Sequence, residues 1–130
     1  MGVSRTSLSA GEIIRAILMQ DSEVTARVKK IYPVVVDNAE LPYLVYRRAQ
    51  LEQTPTKVNG HGADTVGIEI MCYTTNYTEG VELAEAVRAA LDGVQGESDG
   101  LVMRSCYLSD SEEAWQDDAY VQQLMFNVRI

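Results

Sequence analysis

Two stretches of this chain alternate apolar and polar side chains with period two, and a stretch with helical spacing lies between them. Val66, Ile68, Ile70 and Cys72 fall on one side of the first stretch, with Glu69 and Tyr73 on the other. Leu124, Phe126, Val128 and Ile130 fall on one side of the last, opposite Gln123, Asn127 and Arg129. Successive side chains of a strand point to opposite faces, so each stretch reads as a strand with one buried face. Between them, Leu83, Val87, Ala90, Leu91 and Val94 form a helical stripe, with Glu82, Glu85 and Arg88 facing out. A second helical stripe, Ile13, Ile14, Ile17 and Leu18, lies near the N-terminus.

These patterns set the expected order of elements. Residues 1–8 read as a loose, flexible N-terminus, and residues 9–130 as a single domain. Ser9 and Glu12 have capping-box spacing at the start of the first helix. Asp21 or Ser22 caps a short second helix, with Val24 and Val28 on one face and Arg27, Lys29 and Lys30 near its end. Tyr32-Pro33 breaks that helix, and the turn-rich 37–42 segment leads into a strand over 43–51. A long polar loop is expected over 52–64 and a strand over 65–73. Thr78 is positioned to cap a helix over 79–91, which Gly93 and Gly96 stop. A strand over 101–108, an acidic loop over 110–118 and a strand over 119–129 follow. The expected fold is α+β, a four-stranded, mostly antiparallel sheet with helices on one face, in the order α-α-β-β-α-β-β.

Composition narrows the function. The chain has 130 residues, 46% of them hydrophobic, which is enough for one domain with a real core. A pI near 4.5 argues against gripping a nucleic-acid backbone, since a polyanion needs a basic face. No apolar run approaches the roughly 20 residues of a membrane-spanning helix. No secretory signal is visible in Met-Gly-Val-Ser-Arg-Thr-Ser, and the 2 cysteines are too few for a disulfide framework. A soluble intracellular domain is expected.

Reactive groups are sparse. His61, the single histidine, sits between Gly60 and Gly62 with Asp64 as its near acidic neighbour, far short of a metal site's three or four ligands. A solvated loop residue is the default. Gly60-His61-Gly62 lacks both phosphate-loop patterns. Cys72 and Cys106 read as small core hydrophobes, although pairing stays open if their strands are neighbours. Asp110, Glu112, Glu113, Asp117 and Asp118 lack the spacing of a calcium loop and read as a solvated or salt-bridging patch. Trp115 in their midst is either a surface anchor or folded back on its own core. Arg47 and Arg48 point to opposite faces of their strand, so one of them needs an anionic partner or a place at the sheet margin. No paired catalytic carboxylates or Ser/His/Asp set emerges. The expectation is a non-enzyme without cofactor or metal.

One further pattern is informative. An N-terminal helix is followed by Leu41-Pro42-Tyr43-Leu44-Val45-Tyr46. Then come the strand Val66-Gly67-Ile68-Glu69-Ile70-Met71-Cys72-Tyr73, the helix near Thr78 and a final strand ending Leu124-Met125-Phe126-Asn127-Val128-Arg129-Ile130. This order, over roughly residues 8–130, resembles the tail-completion, or tail-terminator, family of long-tailed phages and prophages. The resemblance implies a small α+β virion protein, assembled in the host bacterial cytoplasm. It forms hexameric rings that cap the tail tube and offer a surface to the neck proteins. It also implies no catalytic residues. Two other readings stand beside it: a small ligand-binding regulatory domain acting as a dimer, and an enzyme with a dispersed site.

Charge fits a ring. Residues 1–65 hold 8 basic and 7 acidic side chains, and residues 66–130 hold 3 and 12. A ring joins unlike patches of successive subunits. The expected interface sets Arg27, Lys29, Lys30 or Arg47 against the acidic 110–118 stretch of a neighbour, namely Asp110, Glu112, Glu113, Trp115, Asp117 and Asp118. An acidic lumen would let DNA pass by repulsion.

Overall fold

A computed structural model describes residues 3–53 and 64–130. Most of the expected 52–64 loop, including His61, lies outside the described residues. Its ends, Glu52–Gln53 and Asp64, belong to strands.

The chain opens with a 3₁₀ turn, Ser7–Ser9, followed by α1 (Ala10–Gln20) and α2 (Ser22–Arg27). Next come β1 (Lys30–Pro33), β2 (Tyr43–Gln53), β3 (Asp64–Thr74) and α3 (Tyr77–Leu91). The chain ends with β4 (Gly96–Ser98), β5 (Leu101–Met103), β6 (Ser105–Gln116) and β7 (Ala119–Arg129). Five strands form one mixed sheet in the order β1-β2-β3-β7-β6, and β4 pairs with β5 in a separate ribbon. β1 runs parallel to β2, and every other pair is antiparallel.

The class is α+β, but three elements depart from the expected four-stranded order. β1 is an unanticipated strand of 4 residues. It is too short to show a period, and Pro33 looks like a helix breaker. An edge position tolerates Pro, because the missing N–H has no ladder partner to lose. The expected 101–108 strand is two strands. The break comes at Arg104, whose N–H turns to the Arg129 carbonyl at 2.7 Å. The expected acidic loop is mostly strand: β6 runs on to Gln116, paired with β7 from Ser105↔Arg129 to Gln116↔Ala119. The backbone ladder does not require apolar side chains, so a strand exposed at an edge carries acids without penalty. Only Asp117 and Asp118 turn, at φ 52° and 58°. That left-handed pair suits a two-residue hairpin, and Asp tolerates it better than most residues.

The helix starts also differ in detail. Ser9 occupies the position before α1 but makes no side-chain cap. Glu12 instead pairs with Arg5 at 3.0 Å. Asp21 does cap α2, its Oδ1 accepting from the Val24 N–H at 3.0 Å. Asn76, not Thr78, caps α3, accepting from the Glu79 N–H at 3.2 Å. Gly93, at φ +79°, follows the last turn, whereas Gly96 belongs to β4. A Cβ at Gly96 would stand 3.0 Å from Ile13 Cγ2, so the ribbon packs closely on α1.

The sheet has two unequal faces. Ile13, Ile14 and Leu18 of α1 and Leu83, Val87 and Leu91 of α3 cover one face. They meet Leu44, Ile68, Ile70, Phe126 and Val128, all fully buried. The other face holds a smaller cluster, Tyr43, Val45, Tyr73, Ala119 and Val121, packed by Val36, Ala39 and Leu41 of the β1–β2 connection. Tyr43 stacks on Tyr73 at 4.7 Å between ring centroids. Ser7 is buried, its hydroxyl donating to the Asp64 carboxylate, so the N-terminal turn closes one end of the core.

Candidate functional site

The expected interface residues fall into two groups at opposite margins of the sheet. Of the basic group, Lys29 and Lys30 lie at β1, while Arg27 sits on α2 against Glu82 and Glu85 of α3. Arg27, in the last turn of α2, bridges to Glu23 at 3.2 Å. Lys29 bridges to Glu40 at 2.8 Å, which holds that carboxyl below its usual range. Lys30 stands 5.4 Å from the Tyr32 ring, a cation over an aromatic face. α2 ends at Arg27, so Lys29 and Lys30 lie on the way into the edge strand and not on a helix.

Arg47 differs from the other three. It lies on β2, opposite Glu69 of β3. Its Nε donates to Glu69 Oε1 at 2.6 Å, and Gln123 donates to the other carboxylate oxygen. Glu69 is 5% exposed, so three strands converge on one buried carboxylate. This answers the question of the Arg pair: Arg47 has its anion, and Arg48 reaches over to the Leu8 carbonyl at 3.0 Å. The alternation of β3 puts Glu69 on the face opposite Val66, Ile68, Ile70 and Cys72, as expected. Its partners needed the cross-strand register.

The acidic group lies on β6 and its hairpin turn. Register places Asp110 with Met125 and Glu112 with Gln123, on the face away from the helices. Glu113 pairs with Gln122 on the helix side. There its Oε2 accepts from Tyr77 at 2.6 Å and from Gln122 at 2.7 Å. The two hydrogen bonds hold the Glu113 carboxyl below its ordinary range, and the same contact pushes the Tyr77 phenol up. Asp117, at the turn, lies near enough to Tyr43 and Tyr73 to add to the rise that burial imposes on both phenols.

Trp115 is 60% exposed. Its ring meets Tyr120 edge-on at 4.9 Å, and Tyr120 meets Tyr77 at 6.0 Å. Of the two readings left open, Trp115 takes the surface one. Tyr77 and Tyr120 complete an aromatic patch that sequence alone did not indicate, since α3 and the hairpin meet only in the folded chain.

The basic and acidic groups therefore do not meet within one subunit, and the partner of Arg47 is Glu69 of β3, outside the acidic group. β2, β3 and β7 separate the two groups. Cys72 and Cys106 are buried and free, and β7 stands between their strands. Burial pushes the Cys72 thiol well above its ordinary value and that of Cys106 up to about 12. Among the described residues, no group of three or more His, Cys, Asp or Glu is arranged to hold a metal ion. No described helix is long and apolar enough to cross a membrane.

Comparisons with known proteins fit this picture. A chain from a solved virion of a native gene transfer agent particle shares the fold, with a TM-score of 0.81 and 16% identity. The match covers 95% of this chain and 98% of that one. No curated protein matches the sequence at a significant level. The family model for tail completion protein gp17 matches residues 12–130, from α1 to the last strand. The chain belongs to the tail completion protein gp17 family and is a tail structural protein.

Proposed function

We propose that this protein is the tail terminator, or head–tail connector, subunit of its particle. It forms a hexameric ring that caps the tail tube and joins it to the neck. Family membership over residues 12–130 carries the reading. The fold shared with a gene transfer agent virion chain supports a place in the finished particle. Assembly in the host cytoplasm belongs to the same proposal.

Charge placement adds a physical argument. A head-to-tail ring needs two different patches on opposite sides of each subunit. Lys29 and Lys30 lie at one margin of the sheet, with Arg27 set back on α2 beside Glu82 and Glu85 of α3, and Asp110, Glu112, Glu113, Trp115, Asp117 and Asp118 lie at the other. Arg47 contributes less, since Glu69 already claims it. The exposed acids also suit a protein that sits beside a DNA path without gripping it.

Light scattering over a rising concentration series, with negative-stain images of the same samples, tests the reading. Six-membered rings are the expected result. A strict dimer with a saturable thermal shift toward a small metabolite would overturn it in favour of a ligand-binding domain.

A further inference from the structure

The two edges of the sheet are opposites. β1 has 4 residues and begins with Lys30. β6 has 12 residues, contains neither Pro nor a basic residue, and is exposed from Ser109 onward. Among the described residues, no strand lies beside its outer side. A long open edge is a template for another strand. The acids of β6 decide which strand it accepts. Pairing β6 with a second β6 would set Asp110, Glu112 and Glu113 against their own copies, and like charges across a ladder are destabilising. β1 offers Lys30, with Lys29 just before it.

Strand directions agree. β1 and β2 run the same way, and the next three strands alternate, so β6 runs opposite to β1. Rotation about an axis near the strand direction leaves each strand's sense unchanged. The β6 of one copy therefore meets the β1 of the next as an antiparallel neighbour. The faces agree too. Lys30 and Tyr32 share a face with Tyr43 and Val45. The register carries that face through Met71 and Gln123 to Glu112. With copies level, Tyr32 lies across from Glu112 and Lys30 across from Ala114. Lys30 and Glu112 are then diagonal neighbours, within reach of a long side chain. At the far end, exposed Val34 and Val35 just past β1 and exposed Tyr107 on β6 supply apolar area.

We propose that β6 of each subunit adds to β1 of the next, so that the sheet continues from copy to copy around the ring and leaves no open edge. The proposal rests on the ring reading and names the contact that closes it.

Disulfide trapping in the full-length chain tests it. The native thiols are buried, so engineered ones report alone. Tyr32→Cys with Glu112→Cys, and Lys30→Cys with Ala114→Cys, should each yield a ladder of covalent oligomers on oxidation, ending at the closed ring. The second pair guards against a folding defect from losing Tyr32. Pairing Lys30→Cys with Asp110→Cys or Glu112→Cys detects a slipped register, which also supports the join. Rings that form in the microscope without a ladder from any pair overturn the join and leave the ring intact. Covalent dimers from Glu112→Cys alone overturn it in favour of β6 pairing with itself. A chain that stays monomeric at every concentration overturns the ring reading and this contact with it. Charge exchange gives an independent readout. Glu112→Lys should weaken ring assembly about tenfold or more, and adding Lys30→Glu should restore it.

Discussion

β3 and β6 flank the same strand, β7, and have nearly the same length, yet they are opposite kinds of strand. β3 is buried along almost all of its 11 residues, while β6 is exposed over most of its 12. Both hold β7 by the same antiparallel ladder. The difference therefore lies in what covers them. Helices α1 and α3 close over β3, whereas the distal part of β6 stays exposed, with the Tyr77 side chain of α3 reaching Glu113. A backbone ladder makes a strand, and burial then decides which side chains it tolerates. β3 is where stability resides. β6 spends its side chains on charge and on an aromatic patch.

That contrast can be broken at several points. The largest effect is expected in β3: Ile70→Ala removes a fully buried side chain beneath the helices and should cost about 2–5 kcal/mol in chemical denaturation. A comparable loss from Ala114→Gly on β6 would erase the distinction. Next comes the polar anchor that ties β3 to both neighbours. Arg47→Ala leaves Glu69 buried with Gln123 as its remaining partner, and should cost about 1–3 kcal/mol. Trp115→Ala loses an edge-on contact with Tyr120 and should lower subunit stability by about 1 kcal/mol, read by thermal melting. Glu112→Lys should change the stability of the isolated subunit by less than about 0.5 kcal/mol, because an exposed edge residue has little to lose. In the proposed ring contact its effect falls on assembly.

The smallest effect has a pH signature. The Glu113 carboxyl is held below its ordinary 4.5, so its bond with Tyr77 is fully present above that value and is lost as pH falls through the lowered one. The Tyr77 phenol is held above its ordinary 10.0, so the same contact is lost again as pH rises through the raised value. Tyr77→Phe should therefore melt slightly below the native chain at neutral pH. The gap should close on acidification. A gap that stays constant down to strongly acid pH would assign it to packing against Tyr120.

What was legible in the sequence follows the same division. β3, α3 and β7 show clean periods, because each buries one face against a core and selection for apolarity writes the period into the chain. Asp21 was readable as a cap because its bond is local. β1 left no trace, since 4 residues are too few for a period. The acids of β6 read as a loop, since an open edge imposes no apolar alternation. The aromatic patch of Tyr77, Trp115 and Tyr120 and the Arg47–Glu69–Gln123 network were invisible for a common reason. Their members come from different elements, and register alone brings them together.

The sequence by itself determined the α+β class, the buried faces and the family, since these rest on local period and order along the chain. It also set the imbalance of charge between its halves. Only the tertiary structure decided where that charge goes. By inserting β7 between β3 and β6, the topology carries the acidic strand to one edge of the sheet, while β1 takes its lysine to the other. Sequence distance does not fix strand order, because the ladder is satisfied equally by neighbours near or far along the chain. Packing over the core selects among those orders, and that selection turns a net charge into two opposed edges.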